Sequence, residues 1–360
     1  MKRLYEVDVV RILTFACVIG VHVTSHTIAS DDVPLYGLLG LLHITRLVFF
    51  ALTAFVLMLG QLNRPKPMRQ FWPKRFLLVG VPYVAWSVIY YVASNLYSQS
   101  DKAPVQYVVD LLYRIVTGSA WYHLYFLLVT MQVYLLVPLI VWFVRRTRGH
   151  HRLVLAIFFV IQLAITAVYL YHPGSLGWYG AAEKQFFWSY PFFIIAGAIA
   201  ADHAPAFLAW VRAHRGAIGL LVLGGAVLTL GVFAIQHWVV GMSLYHAGTP
   251  LQPVIMVWST CVVLGFLAIG TWWADRRVDG ARFARAVDRI SDRSFGIFLV
   301  HPMLLWVLLW IGAGWVPAHV PTPWLTLVAY LIVIGLSYLI ADLARRSPLS
   351  LALAGRRWRG

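Results

Sequence analysis

Apolar stretches of about 20 residues recur along the whole of this chain, the length a helix needs to cross the roughly 30 Å hydrocarbon core of a bilayer. This pattern predicts an all-α polytopic membrane protein. Of 360 residues, 61% are hydrophobic and 12% charged, with a mean hydropathy of +0.76. Soluble domains are about half apolar and a quarter charged. No long polar segment interrupts the pattern, so 1–360 reads as a single integral membrane domain ending in a basic tail, 345–360.

Ten transmembrane helices are expected, at 8–29, 41–61, 75–97, 121–144, 152–171, 185–201, 216–238, 252–273, 294–313 and 323–344. The less apolar segment 104–118, with Asp110 and Arg114, reads as an interfacial or re-entrant piece on the outside. Lys2 and Arg3 followed by an apolar run look like a signal peptide. Asp8 and Arg11 break that run, however, and no small-residue cleavage site follows, so the span is read as retained.

Charge sets the orientation. Of the 29 Lys and Arg, 24 fall on the N-terminal side of these spans and three (Lys102, Arg114, Lys184) on the other; Arg11 and Arg46 lie within spans. By the positive-inside rule both termini are cytoplasmic, and the expected location is the plasma (inner) membrane. The same asymmetry accounts for most of the net charge of +16 without nucleic acid as a partner. Cys17 and Cys261 both fall in apolar spans, which argues against a disulfide framework or a cysteine metal site. No HExxH motif and no dense His/Asp/Glu cluster is present, so no metal site is expected. No internal repeat and no paired Gly/Pro-broken helices are visible, which weakens a transporter reading.

The first span, VDVVRILTFACVIGVHVTSH, carries ionisable groups where lipid would reject them. Arg11 and His22 are eleven residues apart, three helical turns plus about 20°, so they share a face about 16 Å apart along the axis. Asp8 and His26 extend that stripe by steps of three and four. Ionisable groups in a span usually face the bundle interior or a water-filled cavity, though Asp8 and Arg11 also suit a snorkelling pair at the inner end. Arg46, on an inward-running second helix, comes to a similar depth to His22. His26 and His43 fall about a turn further out, and His123 opens the fourth helix near that outer level.

These residues resemble the membrane-bound acyltransferase family 3. The first span reads D-x-x-R-x10-H. RLVFFALTAFVL is similar to the family's Phe-Phe stretch, with Thr53-Ala54 in place of Ser-Gly. WPKRFLLVGVPYVAWSVIY keeps Arg75, Pro82, Tyr83 and Trp86. HLYFLLVTMQVYLLVP resembles a His-Leu-Trp-Phe-Leu segment, with Tyr125 for the Trp. YPFFIIAGAIA and SDRSFGIFLVHPML resemble later segments, with Phe298 where Tyr is common. The likeness follows the family order over nearly the whole chain.

The resemblance implies a ten-helix membrane enzyme that moves an acyl group from a cytoplasmic donor, usually acyl-CoA, to a hydroxyl or amine of a carbohydrate or related acceptor. Acetyl-CoA is the expected donor, used as a substrate, with no permanently bound cofactor. A cell-envelope carbohydrate or glycolipid is the expected acceptor. Such transfer needs a base and a group to stabilise an oxyanion. His22 suits the base, since imidazole titrates near physiological pH. An acyl-histidine intermediate is the alternative. Arg46 suits the oxyanion or the sugar, and Asp8 completes the catalytic set. Arg11, Lys74, Arg75 and His301 are the donor-side candidates; His26, His43 and His123 are the acceptor-side ones. The stripe would then line a tunnel for the pantetheine arm. The basic segment ARFARAVDRISDR, with Arg282, Arg285, Arg289 and Arg293, suits contact with anionic lipid or with CoA phosphates. The rival reading is a transporter or flippase for a glycan or lipid-linked sugar, its stripe a substrate path.

Overall fold

The computed structural model of the protein describes residues 3–178, 183–312 and 319–358, which contain helices and no strand. In chain order the main helices are α1 Tyr5–Thr27, α2 Val33–Leu42, α3 Thr45–Asn63, α4 Met68–Tyr97, α5 Pro104–Thr117, α6 Tyr125–Arg146 and α7 His151–Tyr171. There follow α8 Pro191–Asp202, α9 Ala204–Ala213, α10 Arg215–Ala234, α11 Val254–Arg276, α12 Arg282–Ile311, α13 Thr322–Arg345 and α14 Ser350–Ala354. Among the described residues nine stretches are long and apolar enough to cross a bilayer, with α2 and α3 forming one of them.

The sixth expected span, 185–201, is replaced by a bent pair. Helices α8 and α9 meet at 97° around His203. At 12 residues α8 is about 18 Å long, too short for the hydrocarbon core. A short helix is tolerated at membrane depth where protein surrounds it. Here α8 is buried along most of its length and packs chiefly against α3. Gly197 makes that approach possible, because a Cβ there would run into the Ala51 carbonyl.

The ninth expected span also differs. Instead of a helix at 294–313 preceded by a separate basic segment, α12 runs unbroken from Arg282, over 30 residues or about 45 Å. The segment carrying Arg282, Arg285, Arg289 and Arg293 forms its first turns. Neither Gly nor Pro interrupts it there, and Arg293 is tied to Asp342 of α13 at 2.8 Å. Helix α5 occupies the expected interfacial segment. It buries none of its residues and turns Val105, Val108, Val109, Leu112 and Val116 outward.

Ion pairs gather the helix ends into one basic face. Arg3 bonds Asp8 at 2.7 Å and Asp288 at 3.1 Å, Arg277 bonds Asp288 at 2.9 Å, and Arg345 bonds Asp292 at 3.3 Å. Arg212 pairs with Glu6. The start of α1 therefore shares one end of the bundle with the ends of α9, α11 and α13 and the start of α12.

Candidate active site

The site begins with a proline. Pro302 has no N–H to offer the Phe298 carbonyl one turn back, so the helical ladder opens there. The Tyr90 hydroxyl from α4 enters the opening. It donates to the Leu299 carbonyl at 2.8 Å and accepts from the Met303 N–H at 3.1 Å. The His301 Nδ1 meets the Phe298 carbonyl at 2.8 Å and the Ile297 carbonyl at 3.3 Å. Two acceptors at one nitrogen place the proton on Nδ1, which leaves Nε2 as a bare lone pair. That Nε2 is buried and has no hydrogen-bond partner.

Side chains from three other elements gather around the His301 ring. The His22 ring of α1 stacks on His301 with centroids 5.3 Å apart, and Tyr122 lies 4.7 Å from His22. His123, in the turn before α6, sits 5.7 Å from His301 and 5.2 Å from the Tyr90 ring. Both His123 ring nitrogens are buried without a hydrogen-bond partner of normal geometry, although the Leu299 carbonyl is nearby. His26 is exposed, bonds its own helix at the His22 carbonyl at 2.7 Å, and lies 5.5 Å from Tyr122. Buried polar groups left unpaired are costly, and they concentrate where a substrate or ordered water completes them.

His301 is thus a neighbour of His22, whereas the span boundaries read from sequence put it in the inner half of its helix. With α12 beginning at Arg282, His301 lies 19 residues in, and His22 lies 17 residues into α1. Both come to about 26–29 Å from the basic end.

Arg46 is held elsewhere. It pairs with Glu183 at 3.4 Å, donates to the Pro250 carbonyl at 3.3 Å, and lies 5.9 Å from the Tyr190 ring. Its Nε and the nearby Gln252 Oε1 are buried without partners. These groups form a small polar pocket with Gln162, Ser189 and Tyr190. His43 bonds the Gly248 carbonyl at 2.8 Å and is close enough to both His22 and Arg46 to interact electrostatically. The similar depth of Arg46 and His22 does not make them direct partners.

A second cavity, of about 320 Å³, opens at the basic end. Arg11, Arg75 and Arg356 line it, together with Thr53, Thr130 and Tyr134. Arg11 is positioned by Asp8 at 3.6 Å and by the Ser291 hydroxyl at 3.2 Å; that hydroxyl in turn donates to Asp8 at 2.7 Å. Asp8 is buried and bonded at this end, about 21 Å along α1 from His22, so it orients Arg11 and stands apart from the imidazoles. Lys74 is exposed and does not line the cavity.

Arg356 was hidden among the tail's charges. Helix α14 ends at Gly355 in the left-handed conformation, φ 64°, and a Cβ there would strike the Phe295 ring. This turn, together with the Trp86 indole bonding the Leu353 carbonyl at 3.3 Å, folds the tail back over the cavity.

Of the polar face of α1, Arg11 and Phe15 line this cavity, and its deep wall is aromatic. Phe15, Phe49 and Phe126 form the inner wall, with centroids 5.6 Å and 4.3 Å apart in sequence. Phe298 backs them, 5.8 Å from Phe15 and 5.1 Å from His123. Four rings separate the cationic cavity from the imidazoles.

Fold and site together define a multi-pass helical membrane protein in which a cation-lined cavity abuts a buried histidine centre. The chain belongs to the acyltransferase-3 family, whose model, described as an acyltransferase domain, matches residues 4–342. No curated protein and no solved structure matches it. The protein is a membrane acyltransferase, as the sequence motifs implied.

Proposed function

We propose that the protein moves an acyl group, acetyl in the simplest case, from cytoplasmic acyl-CoA to a hydroxyl of a cell-envelope carbohydrate or glycolipid across the plasma (inner) membrane. The observation that carries this reading is the cavity bearing Arg11, Arg75 and Arg356, whose inner wall backs onto His22, His123 and His301. Three guanidinium groups suit the phosphates of CoA, since arginine binds phosphate through paired, charge-assisted hydrogen bonds. The pantetheine arm, directed inward, brings the thioester to the phenylalanine wall. Those rings part to admit it.

At the centre, His22 takes the proton of the acceptor hydroxyl as its oxygen attacks the thioester carbonyl. The bare His301 Nε2 accepts a hydrogen bond that orients the acceptor. The tetrahedral adduct collapses, the carbon–sulfur bond breaks, and the CoA thiolate receives the proton that His22 holds. Arg46, in its separate pocket, binds the acceptor from the opposite face, with Glu183 and Gln252 as polar partners for sugar hydroxyls. His26 and His43 line the acceptor approach. Purified protein in detergent should transfer radiolabelled acetyl from acetyl-CoA to an envelope glycan fraction. Absence of transfer from any acyl-CoA would overturn the donor assignment.

Two further outcomes are expected. Arg11→Gln and Arg75→Gln should each raise the KM for acyl-CoA on the order of tenfold, since a hydrogen bond to a charged group contributes about 1.5–3 kcal/mol. Added salt should act in the same direction. A fall in kcat at unchanged KM would move both residues out of donor binding.

The basic end should be cytoplasmic. In a background lacking Cys17 and Cys261, an impermeant thiol reagent applied to intact cells should label Ser175→Cys and miss Ser347→Cys. The reverse pattern would put the donor cavity on the wrong side.

A further inference from the structure

The sequence offered no metal motif, yet the fold brings three ligand-type side chains together outside the acyl-transfer site. His151 opens α7, and Asp202 and His203 sit at the bend between α8 and α9, some fifty residues later. Among the described residues this is a cluster in which three such ligand atoms converge, all within 4.8 Å of one another. The His151 Nδ1 and the His203 Nε2 face each other at 2.8 Å.

We propose that His151, Asp202 and His203 bind a divalent transition cation of the Zn²⁺ type, which staples the bent α8–α9 pair to α7. The tautomer supports this. The His151 Nε2 donates to the Val144 carbonyl at 2.9 Å, so its Nδ1 carries the lone pair that points at His203. A ligating histidine usually makes such a bond from its other nitrogen, and it fixes the ring's orientation. The donor set of two imidazoles and one carboxylate suits zinc, with water in a fourth position. His203 is exposed, which leaves room for that water, while His151 and the Asp202 carboxylate are buried.

Arg148 bonds both carboxylate oxygens of Asp202, with its Nε at 3.0 Å from one of them. A carboxylate has about four lone-pair sites, so Arg148 and a metal can share it, with the guanidinium as the outer partner. Without a cation, His203 donates its Nε2 proton to the His151 Nδ1. Tetrahedral ligation at about 2.0–2.1 Å needs the two nitrogens about 3.3 Å apart, a small outward swing of the exposed His203 ring. The Nε2 proton then moves to Nδ1 of His203 or leaves to solvent.

The test uses the full chain, free of any histidine tag, in detergent. The protein is stripped with a chelator, equilibrated with micromolar Zn²⁺, desalted and assayed for metal. Wild type should retain stoichiometric zinc and unfold at a higher temperature with zinc than without. His203→Ala and Asp202→Asn should lose the retained zinc and the zinc-dependent rise in Tm. His203 is exposed, so its truncation should leave the size-exclusion profile unchanged. Co²⁺ should give the visible absorption of a tetrahedral site in wild type and not in His203→Ala. If wild type retains no zinc, or if His203→Ala retains as much as wild type, the proposal fails. In that case the pair is a plain histidine–histidine hydrogen bond.

Discussion

His22→Ala is expected to insert and fold like wild type and to lose acyl transfer by a factor of about 10²–10⁴, the usual contribution of a general base. The loss would be larger if the imidazole itself carries the acyl group. The ring is half-buried and makes its ring contacts with His301 and Tyr122, so its removal takes little from the bundle. Affinity for acyl-CoA should change little, because the guanidinium groups lie beyond the phenylalanine wall. His26→Ala is the control on the same face, one turn outward. Its ring bonds only to its own helix and to a neighbouring serine, so it should cost far less. Both variants are compared at equal membrane abundance. Near wild-type turnover in His22→Ala, or a dead His26→Ala beside it, sinks the assignment.

The stripe behind this prediction was legible in the sequence because helical periodicity alone places Asp8, Arg11, Phe15, His22 and His26 on one face, and a span tolerates such groups only toward the interior. The structure turns most of that face inward: Arg11 and Phe15 line the cavity and His22 meets Tyr122, while His26, one turn on, is exposed beside the same ring. What stayed hidden depends on how helices neighbour one another. Depth put Arg46 level with His22, but depth says nothing of azimuth, and Arg46 faces Glu183 from a distant loop. Helix α8 stops short at His203 and packs against α3, a contact between distant segments that hydropathy cannot register. Arg356 was read as one of many tail charges, and it is the left-handed Gly355 and the Trp86–Leu353 hydrogen bond that bring it to the cavity. The His301-Pro302 pair was visible and carried a usable signal. A proline inside a span frees a carbonyl, and an adjacent histidine is well placed to satisfy it.

That pair supports the second large effect. His301→Ala should lower turnover about 10²-fold or more, because the ring supplies the bare Nε2 beside His22. The same truncation removes the donor to the Phe298 carbonyl, which Pro302 cannot replace. Stability should therefore fall as well, by about 1–3 kcal/mol for a buried acceptor left unpaired. Two losses from one substitution leave its meaning open, and His301→Asn separates them. An asparagine amide can donate to Phe298 from near the Nδ1 position, but it places no lone pair where Nε2 stood. Asparagine should thus recover most of the thermal stability and leave turnover as low as in the alanine variant. Recovery of both would make His301 a prop for the broken turn, with His22 acting without it. Tyr90→Phe completes the comparison. It withdraws the hydroxyl that bridges Leu299 and Met303 while leaving every imidazole in place. Its main cost should fall on stability, and a loss of turnover there as deep as that of His301→Ala would show that the opened turn, rather than the lone pair, is what the reaction needs.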